Sequence, residues 1–408
     1  MKFGLLGRKL GHSYSPMIFE LLGHYRYDLY EREPEQLESL LRSGEFDGLN
    51  VTIPYKKAVL PLLDRVDPLA RRLGSVNTIV RQPDGSLDGY NSDYDGFSYL
   101  VRHSGLALQG KKALVLGSGG ASVTVVAVLQ DLGALPVVIS RSGENNYDNL
   151  CLHRDARIIV NATPVGMYPN VGKAPLNVRD FPGLEGVFDL IYNPARTQLL
   201  LNCESCGIPA WNGLRMLVAQ AKTSAEHFLG KPLPDSCIEP IHSALRRQME
   251  NIVLIGMPGC GKSTVGALLA EKTGKLFVDA DAAFTEKFGH SPAQVIEAQG
   301  EPQFREMETQ VLRILGMGSR QVIATGGGCV TRAENLPLLH QNGTVVWLKR
   351  DVDRLSVEGR PLSKSASPAR LFEARKGLYE AFSDTFADNN GSPQGTVEEI
   401  LHRLEERQ

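Results

Sequence analysis

Asn251-Ile252-Val253-Leu254-Ile255-Gly256-Met257-Pro258-Gly259-Cys260-Gly261-Lys262-Ser263-Thr264 joins a short apolar run to a glycine-rich loop. The loop fits the pattern G-x-x-x-x-G-K-[ST] in full, which predicts a position between a strand and a helix. In such loops backbone N–H groups hold phosphates, the lysine offsets phosphate charge, and the serine hydroxyl ligates Mg²⁺. The stretch predicts a P-loop domain, but it does not choose between a kinase, an ATPase and a GTPase.

A second glycine-rich loop, Gly117-Ser118-Gly119-Gly120-Ala121-Ser122, follows the apolar run 112–116. It is typical of a Rossmann turn that holds the pyrophosphate of a dinucleotide, although Ser122 stands where Gly or Ala is usual and a structural turn is the alternative. A carboxylate about 20 residues further on would indicate NAD, and an arginine there NADP. Ser140-Arg141-Ser142 follows the next apolar run, which favours NADP.

The 408 residues are too many for one ordinary core and indicate roughly two or three domains. Strand and helix patterns alternate throughout, which predicts the α/β class with parallel sheets. We expect an α/β substrate domain (1–104 with 213–247), a Rossmann-like NADP domain (105–212) and a P-loop domain resembling nucleoside monophosphate kinases (250–408). Helices are expected at 34–42, 55–66 and 214–229, and a junction with almost no flexible linker near 246–251.

Composition narrows the class of protein further. Net charge is −2 with scattered Lys and Arg, which argues against a nucleic-acid partner. The most apolar stretch, 113–139, is broken by glycines and Pro136, so no membrane partner is expected. Six cysteines without regular spacing and no visible signal peptide favour a cytoplasmic location. The oligomeric state cannot be predicted.

A series of polar motifs runs through the first half of the chain. It reads Gly11-His12-Ser13-Tyr14-Ser15-Pro16, Asn50-Val51-Thr52-Ile53-Pro54-Tyr55-Lys56, Val76-Asn77-Thr78, Gly89-Tyr90-Asn91-Ser92-Asp93-Tyr94-Asp95-Gly96, Asn161-Ala162-Thr163-Pro164-Val165-Gly166-Met167 and Asn212-Gly213-Leu214-Arg215-Met216-Leu217-Val218-Ala219-Gln220. Together these motifs resemble the shikimate dehydrogenase family over residues 1 to about 247. The resemblance implies reversible, NADPH-dependent reduction of 3-dehydroshikimate to shikimate.

The resemblance also implies roles for individual residues. Lys56 and Asp93 would be catalytic, the carboxylate positioning an ammonium that donates a proton as hydride reaches the carbonyl carbon. The implied substrate-binding residues are Ser13, Ser15, Thr52, Asn77, Asp93, Tyr192 and Gln220. The implied NADP-binding residues are Gly117, Ser118, Gly119, Gly120, Ala121, Ser140, Arg141, Ser142, Thr163, Leu190 and Gly213. Outside these motifs, the Lys–Asp pair would be a surface ion pair and the two serines helix caps.

Two positions depart from the family pattern. Ser140-Arg141-Ser142 replaces Asn-Arg-Thr, and no second basic residue follows within 143–145, so the preference for NADP is expected to be weaker. Ser92 replaces the threonine of Asn-Thr-Asp and keeps the hydroxyl.

A second series of motifs follows the P-loop. It reads Phe277-Val278-Asp279-Ala280-Asp281, Gln303-Phe304-Arg305-Glu306-Met307-Glu308, Ala324-Thr325-Gly326-Gly327-Gly328-Cys329-Val330, Gly359-Arg360-Pro361-Leu362 and Arg375-Lys376-Gly377-Leu378-Tyr379. These motifs resemble the shikimate kinase family over about residues 251–408, which implies phosphorylation of shikimate by ATP with Mg²⁺.

In that family pattern, Lys262, Asp281 and Arg360 would be catalytic, with Arg360 on a lid. The implied shikimate-binding residues are Asp281, Arg305, Gly326, Gly327, Gly328 and Arg375. The implied ATP-binding residues are Gly259, Cys260, Gly261, Lys262, Ser263, Thr264 and Arg360, and the metal-binding residues are Ser263 and Asp279. Alternatively, Asp279 or Asp281 caps a helix, and Arg305 pairs with Glu301 or Glu308 on one helix.

Both halves point to shikimate, so the leading hypothesis is a bifunctional enzyme of the shikimate pathway (aromatic amino acid and chorismate biosynthesis). One alternative makes the first half a quinate/shikimate dehydrogenase. The other is a ligand-sensing regulatory protein without turnover, which loss of Lys56, Asp93, Lys262 or Asp281 would have favoured.

Overall fold

The computed structural model describes residues 1–11, 13–355 and 367–407. The chain falls into two compact units. The first contains Met1–Met167, Lys173–Tyr192 and Asn202–Leu245, and the second contains Tyr168–Gly172, Asn193–Leu201 and Arg246–Gln408. Within the described ranges, no helix is both long and apolar enough to cross a membrane.

The first sheet is built from the N-terminal segments. Its strands are β1 (Phe3–Gly7), β2 (Tyr27–Glu31), β3 (Gly48–Val51), β4 (Arg65–Val66), β5 (Thr78–Arg81) and β6 (Leu87–Tyr90), in the order β2-β1-β3-β5-β6-β4. Strands β2, β1 and β3 are parallel, whereas β5 runs antiparallel to β3 and β6. Helices α1 (Ser15–Gly23), α2 (Leu37–Arg42), α3 (Pro68–Leu73) and α4 (Asp93–Ser104) connect and follow these strands.

The second sheet is parallel throughout. It consists of β7 (Lys112–Leu116), β8 (Leu135–Ile139), β9 (Ile158–Asn161), β10 (Gly186–Asp189) and β11 (Ala210–Trp211), in the order β11-β10-β9-β7-β8. Helices α5 (Gly120–Asp131), α6 (Gln198–Ser205), α7 (Leu214–Leu229) and α8 (Ile238–Met249) belong to this part of the chain. The strand order reverses between β7 and β9, and ligands of such sheets bind outside the carboxyl ends of the strands at that point.

The third sheet is also parallel. It consists of β12 (Asn251–Ile255), β13 (Leu276–Asp279), β14 (Gln321–Ala324), β15 (Gly343–Lys349) and β16 (Thr385–Asp388), in the order β13-β14-β12-β15-β16. The surrounding helices are α9 (Lys262–Thr273), α10 (Ala280–Phe288), α11 (Pro292–Gln299), α12 (Glu301–Met317), α13 (Asn335–His340), α14 (Pro368–Phe382) and α15 (Pro393–Glu406). The central strands are continuous apolar runs because helices cover both faces, and their side chains form the core of this part. The predicted α/β class with parallel sheets is confirmed, and the exact domain boundaries stay a prediction.

The helix expected at 55–66 is wrong. The segment forms turns, a short 3₁₀ helix at Leu60–Leu62 and strand β4. Pro61 has no N–H to donate to a helix. Two backbone groups of the segment bond to distant residues instead. The Asp64 N–H donates to Leu87 O at 3.0 Å, and Lys56 O accepts the Val76 N–H at 2.9 Å. Pairing with distant residues therefore overrides the local helical pattern. The helix expected at 34–42 begins as a 3₁₀ turn, and that expected at 214–229 is α7.

The junction of the two series of motifs is short, as predicted. Only Glu250 separates the end of α8 from the start of β12. Lys275 Nζ donates to three backbone carbonyl oxygens there, those of Arg247 (2.6 Å), Gln248 (3.1 Å) and Glu250 (2.6 Å). Cations favour the carbonyl end of a helix, so Lys275 stabilises the C-terminus of α8.

Candidate functional site

Lys56 and Asp93 meet beside the first sheet. Lys56 lies in the turn after β3, and Asp93 is the first residue of α4. Lys56 Nζ donates to Asp93 Oδ2 at 2.5 Å, and the side chains are 23% and 13% exposed. The carboxylate thus holds an ammonium that still reaches solvent. This arrangement is more typical of a positioned proton donor than of an ordinary surface ion pair.

Asn77 and Gln220 both belong to the predicted substrate site and share one neighbour in space. Asn77 precedes β5 and is buried, and Gln220 lies on α7. Ser92, which precedes Asp93, donates its backbone N–H to Asn77 Oδ1 at 2.8 Å and its hydroxyl to Gln220 Oε1 at 3.4 Å. Gly96 is the last residue of the motif that contains Asp93. A Cβ at Gly96 would lie 2.8 Å from Gln220 Cβ, so α4 and α7 can pack this closely only with glycine at that position.

The two predicted serines lie at the start of α1. Tyr14 is the N-cap and makes no side-chain cap bond, whereas Ser13 Oγ accepts the N–H of Ser15, the first residue of α1, at 3.2 Å, so Ser13 contributes to the cap as the alternative supposed. The Tyr14 ring lies 5.2 Å from the Tyr192 ring, which brings Tyr192 to the serine segment. Burial raises the pKa of Tyr14 to about 12, and the neighbouring Tyr192 adds to the rise.

Thr52, another predicted substrate-binding residue, follows β3 and donates its N–H to Leu6 O at 2.9 Å.

The first glycine loop lies at the point where the strand order of the second sheet reverses. Gly117 has φ +102°, and a Cβ there would lie 2.9 Å from Thr163 Cγ2, which brings the predicted Gly117 and Thr163 together. Ser118, Gly119 and Gly120 are exposed, Ala121 is half-buried, and Gly119 caps α5 without a side-chain bond. The first N–H groups of α5 are thus oriented for an anion.

The predicted 2′-phosphate residues follow β8. Ser140 donates its N–H to Asn145 O at 3.1 Å, and Arg141 and Ser142 are exposed. Burial raises the pKa of Tyr147, and the charge of Arg141 opposes that rise, so the guanidinium lies near the phenol. Beyond β10, Gly213 donates its N–H to Ile191 O at 3.0 Å, and a Cβ at Gly213 would overlap Leu190 O.

The P-loop connects β12 to α9. Gly259 and Gly261 have φ +84° and +97°, and Gly261 caps α9 without a side-chain bond. Lys262 is buried and its Nζ donates to Gly256 O at 2.9 Å and Met257 O at 3.0 Å. Cys260 is buried and its carbonyl accepts from Asn389 Nδ2 at 2.6 Å, whereas Ser263 and Thr264 are exposed in the first turn of α9.

Asp279, at the end of β13, has two functions. Its Oδ1 caps α10 by accepting the N–H groups of Asp281 (3.0 Å) and Ala282 (3.3 Å). Its Oδ2 accepts the Ser263 hydroxyl at 2.7 Å. The helix-cap alternative is therefore correct, and it coexists with a pair of oxygen ligands of the type that Mg²⁺ prefers.

The three glycines after β14 are surrounded by the predicted shikimate-binding side chains. A Cβ at Gly326 would lie 3.3 Å from Asp281 Oδ1, and a Cβ at Gly328 would overlap the Arg305 guanidinium. Arg375 Nη1 donates to Gly327 O at 3.2 Å. The structure thus brings Asp281, Arg305 and Arg375 to one glycine segment, while Arg360 lies outside the described residues.

Glu308 was expected only as an alternative ion-pair partner of Arg305. Arg305 Nη1 donates to Glu308 Oε2 at 2.7 Å, and its Nη2 donates to Glu301 Oε1 at 2.8 Å. Burial raises the pKa of Glu308, and the Arg305 charge opposes the rise. A Cβ at Gly326 would lie 2.5 Å from Glu308 Oε1, an atom without a hydrogen-bond partner among the described residues. The only sequence signal for Glu308 was its spacing of three residues from Arg305 on one helix, which brings the two side chains together.

Comparison with known proteins agrees with both series of motifs. A family model for the shikimate dehydrogenase substrate binding domain matches residues 5–79, and one for shikimate kinase matches residues 258–405. Shikimate dehydrogenase (NADP(+)) from Syntrophomonas wolfei is 34% identical over 280 residues, covering 60% of this chain and 96% of that protein.

Solved structures give the same result for the first half. Shikimate dehydrogenase 1 from Peptoclostridium difficile is 37% identical with a TM-score of 0.56, covering 60% of this chain and 98% of that one. Shikimate 5-dehydrogenase from Thermus thermophilus, solved with NADP(H) and shikimate, is 32% identical with a TM-score of 0.55, covering 60% and 99%. The chain therefore belongs to the shikimate dehydrogenase family and carries, in addition, a shikimate kinase domain.

Proposed function

We propose that the protein is a bifunctional shikimate-pathway enzyme that reduces 3-dehydroshikimate to shikimate with NADPH and phosphorylates shikimate on its 3-hydroxyl with ATP. The observation that carries the proposal is that one chain has the Lys56–Asp93 pair in a part similar to shikimate dehydrogenase and has Asp281 beside the glycine segment in a part similar to shikimate kinase. The substrates are thus small molecules. The expected absence of nucleic-acid and membrane partners, and the cytoplasmic location, stay predictions from composition.

In the dehydrogenase, NADPH supplies the hydride when it is bound. The exposed N-terminus of α5 fits its pyrophosphate, and Arg141 fits its 2′-phosphate. Lys56 donates a proton to the carbonyl oxygen as the carbon becomes tetrahedral, while Asp93 keeps the ammonium in place. Ser13 and Ser15 would bind the substrate carboxylate, and Asn77, Thr52 and Gln220 the ring hydroxyls.

In the kinase, the residues present fit a nucleotide with Mg²⁺. Ser263 and Asp279 would hold the ion together with phosphate oxygens, an arrangement that needs few protein ligands, and the ion offsets phosphate charge when it is bound. Lys262 lies within the loop where the phosphates would be held. Asp281 would orient the acceptor hydroxyl and take its proton, while the guanidinium groups of Arg305 and Arg375 bind the shikimate carboxylate.

Steady-state kinetics with shikimate and quinate, each with NADP and NAD, and with ATP plus shikimate test this proposal directly. NADP-linked oxidation of shikimate together with phosphorylation of shikimate supports it. Preferred oxidation of quinate would favour the quinate/shikimate dehydrogenase alternative. Binding of these ligands without turnover would favour a sensor.

Arg141→Ala is expected to raise the KM for NADP by about 10- to 100-fold and to change the KM for NAD little. A charge-assisted hydrogen bond to the 2′-phosphate contributes about 1.5–3 kcal/mol, and NAD lacks that phosphate. The measurement is the shikimate oxidation rate against each coenzyme. Arg154→Ala, which removes an exposed arginine further along the chain and outside the predicted site, is the control. Equal losses for both coenzymes would show that Arg141 is structural.

Arg305→Lys is expected to raise the KM for shikimate in the kinase reaction by about 10-fold, with the KM for ATP retained. Lysine keeps the charge but loses the planar fork that also pairs with Glu301 and Glu308. Thermal unfolding must be measured alongside, since Glu308 is buried. Arg313→Lys, exposed on the same helix, is the matched control. Unchanged shikimate kinetics would make Arg305 an ion-pair partner only.

A further inference from the structure

Three hydroxyl groups are buried together behind the proposed shikimate site of the dehydrogenase. Thr78 on β5, Ser92 before α4 and Ser224 on α7 are each 0% exposed. Their oxygens lie 2.8 Å (Thr78–Ser224), 2.8 Å (Ser92–Ser224) and 3.2 Å (Thr78–Ser92) apart. Burying a hydroxyl is unfavourable unless it is hydrogen-bonded, so a closed set of this kind indicates a specific arrangement. We call these residues the hydroxyl triad.

The hydroxyl triad and its surroundings fix the orientation of the Asn77 amide. Asn77 Oδ1 accepts the backbone N–H of Ser92 at 2.8 Å, and a backbone N–H can only donate. The Thr78 hydroxyl donates to the same oxygen at 3.0 Å. Asn77 Nδ2 donates one hydrogen to Ser92 Oγ at 3.0 Å. The second hydrogen of that nitrogen is not used by these bonds.

The same reasoning fixes the Gln220 amide. Its Nε2 donates to the carbonyl oxygen of Leu217 at 2.8 Å, and a carbonyl oxygen can only accept. Its Oε1 accepts from Ser92 Oγ at 3.4 Å. Ser92 therefore touches both amides, and each amide has a defined donor side and acceptor side.

Hydrogen bonds run in one direction through the hydroxyl triad. Asn50 Nδ2 donates to Asn77 O, which can only accept, and to Ser224 Oγ at 2.7 Å. With Thr78 donating to Asn77, the single hydrogen of the Ser224 hydroxyl goes either to Thr78 Oγ1 or to Ser92 Oγ. Asn50 Oδ1 accepts the Tyr27 hydroxyl at 2.8 Å. Burial raises the pKa of Tyr27, so its donor proton is retained, and Ser15 hydrogen-bonds to the same phenol.

We propose that the hydroxyl triad holds the side-chain amides of Asn77 and Gln220 in position for the ring hydroxyls of the substrate, so that Thr78 and Ser224 are positioning residues of the dehydrogenase. The inference rests on the proposed function. Without the Thr78 hydroxyl, Asn77 Oδ1 loses a donor and Ser224 loses an acceptor. Asn77 Oδ1 then keeps only its bonds from Ser92, so the amide is held less firmly in its orientation toward the substrate. A site built to hydrogen-bond hydroxyls is sensitive to such a loss of positioning.

Thr78→Val and Thr78→Ser in the full chain test the proposal. Valine keeps the shape of threonine and removes the hydroxyl, whereas serine keeps the hydroxyl and removes the methyl group. We expect Thr78→Val to raise the KM for shikimate about 10-fold and Thr78→Ser to stay within about twofold of the parent. The KM for NADP and the kinase rate should not change. Thr223→Val, the residue before Ser224 on α7, is the matched control.

Deoxy analogues of shikimate, each lacking one ring hydroxyl, separate positioning from general loosening. One analogue lacks the hydroxyl that the two amides bind. If the hydroxyl triad acts through the amides, the parent should bind this analogue more weakly than shikimate, whereas Thr78→Val should bind the two compounds almost equally. Should Thr78→Val fail to fold, Ser224→Ala carries the same expectation. A parent-like KM in a folded Thr78→Val, or equal losses in Thr78→Ser, would overturn the inference alone. A parent that does not oxidise shikimate would overturn the proposed function as well.

Discussion

Lys56→Ala is expected to lower dehydrogenase turnover by about 100-fold or more, the typical contribution of a positioned proton donor. The Lys56 ammonium is held at 2.5 Å by Asp93 and stays partly exposed, so it is placed to reach a substrate carbonyl. The measurement is the rate of NADP-linked shikimate oxidation at saturating substrates, with ATP-dependent phosphorylation of supplied shikimate assayed on the same sample. The kinase rate should stay close to that of the parent.

The neighbouring Lys57 provides the matched control for this substitution. Lys57 is exposed, so Lys57→Ala removes an equal charge one residue away and should leave turnover unchanged. If a folded Lys56→Ala protein kept parental turnover, Lys56 would be no more than an ion-pair partner of Asp93.

Asp281→Asn is expected to produce the opposite result, a loss of kinase turnover of about 100-fold or more with the dehydrogenase retained. Asparagine fills the same space beside Gly326 but cannot take the proton of the acceptor hydroxyl. Asp281 also follows Asp279, whose carboxylate caps α10 through the Asp281 backbone N–H, and that bond survives the substitution. The measurement is shikimate phosphorylation at saturating ATP.

Glu286→Gln, exposed further along the same helix, controls for the loss of one charge from α10. Both reactions should be assayed on both variants after confirming that each unfolds at the parent temperature. If either Lys56→Ala or Asp281→Asn abolished both activities in a folded protein, two independent sites would be the wrong description.

Much of the fold follows from local signals in the sequence. The P-loop and the first glycine loop each lie between a strand and a helix, as their patterns predict, because glycine backbone conformations and helix starts are decided by a few adjacent residues. The wrong helix at 55–66 shows the limit of such signals. There the backbone pairs with Val76 and Leu87, and no local pattern reports partners at that separation.

The candidate sites likewise contain residues that local motifs indicate and residues that only the packed structure reveals. Motifs indicated Lys56, Asp93, Asp281, Arg305 and Arg375, because each stands in a recognisable local pattern. Ser224 stands outside those patterns, and its partners Thr78 and Ser92 lie 146 and 132 positions away. A buried polar group of this kind is visible only once the helices and strands that carry it have been packed together.

Separating the kinase from the rest of the chain is constrained by Lys275. Burial lowers the pKa of Lys275 to about 8, and three carbonyl oxygens between Arg247 and Glu250 accept its hydrogens. A fragment that began at Asn251, where the P-loop strand begins, would remove these three acceptors from the half-buried Lys275 ammonium, which is unfavourable. A stable kinase fragment should therefore start upstream of Arg247, and proteases should cut this hydrogen-bonded junction slowly despite its position between two enzymes.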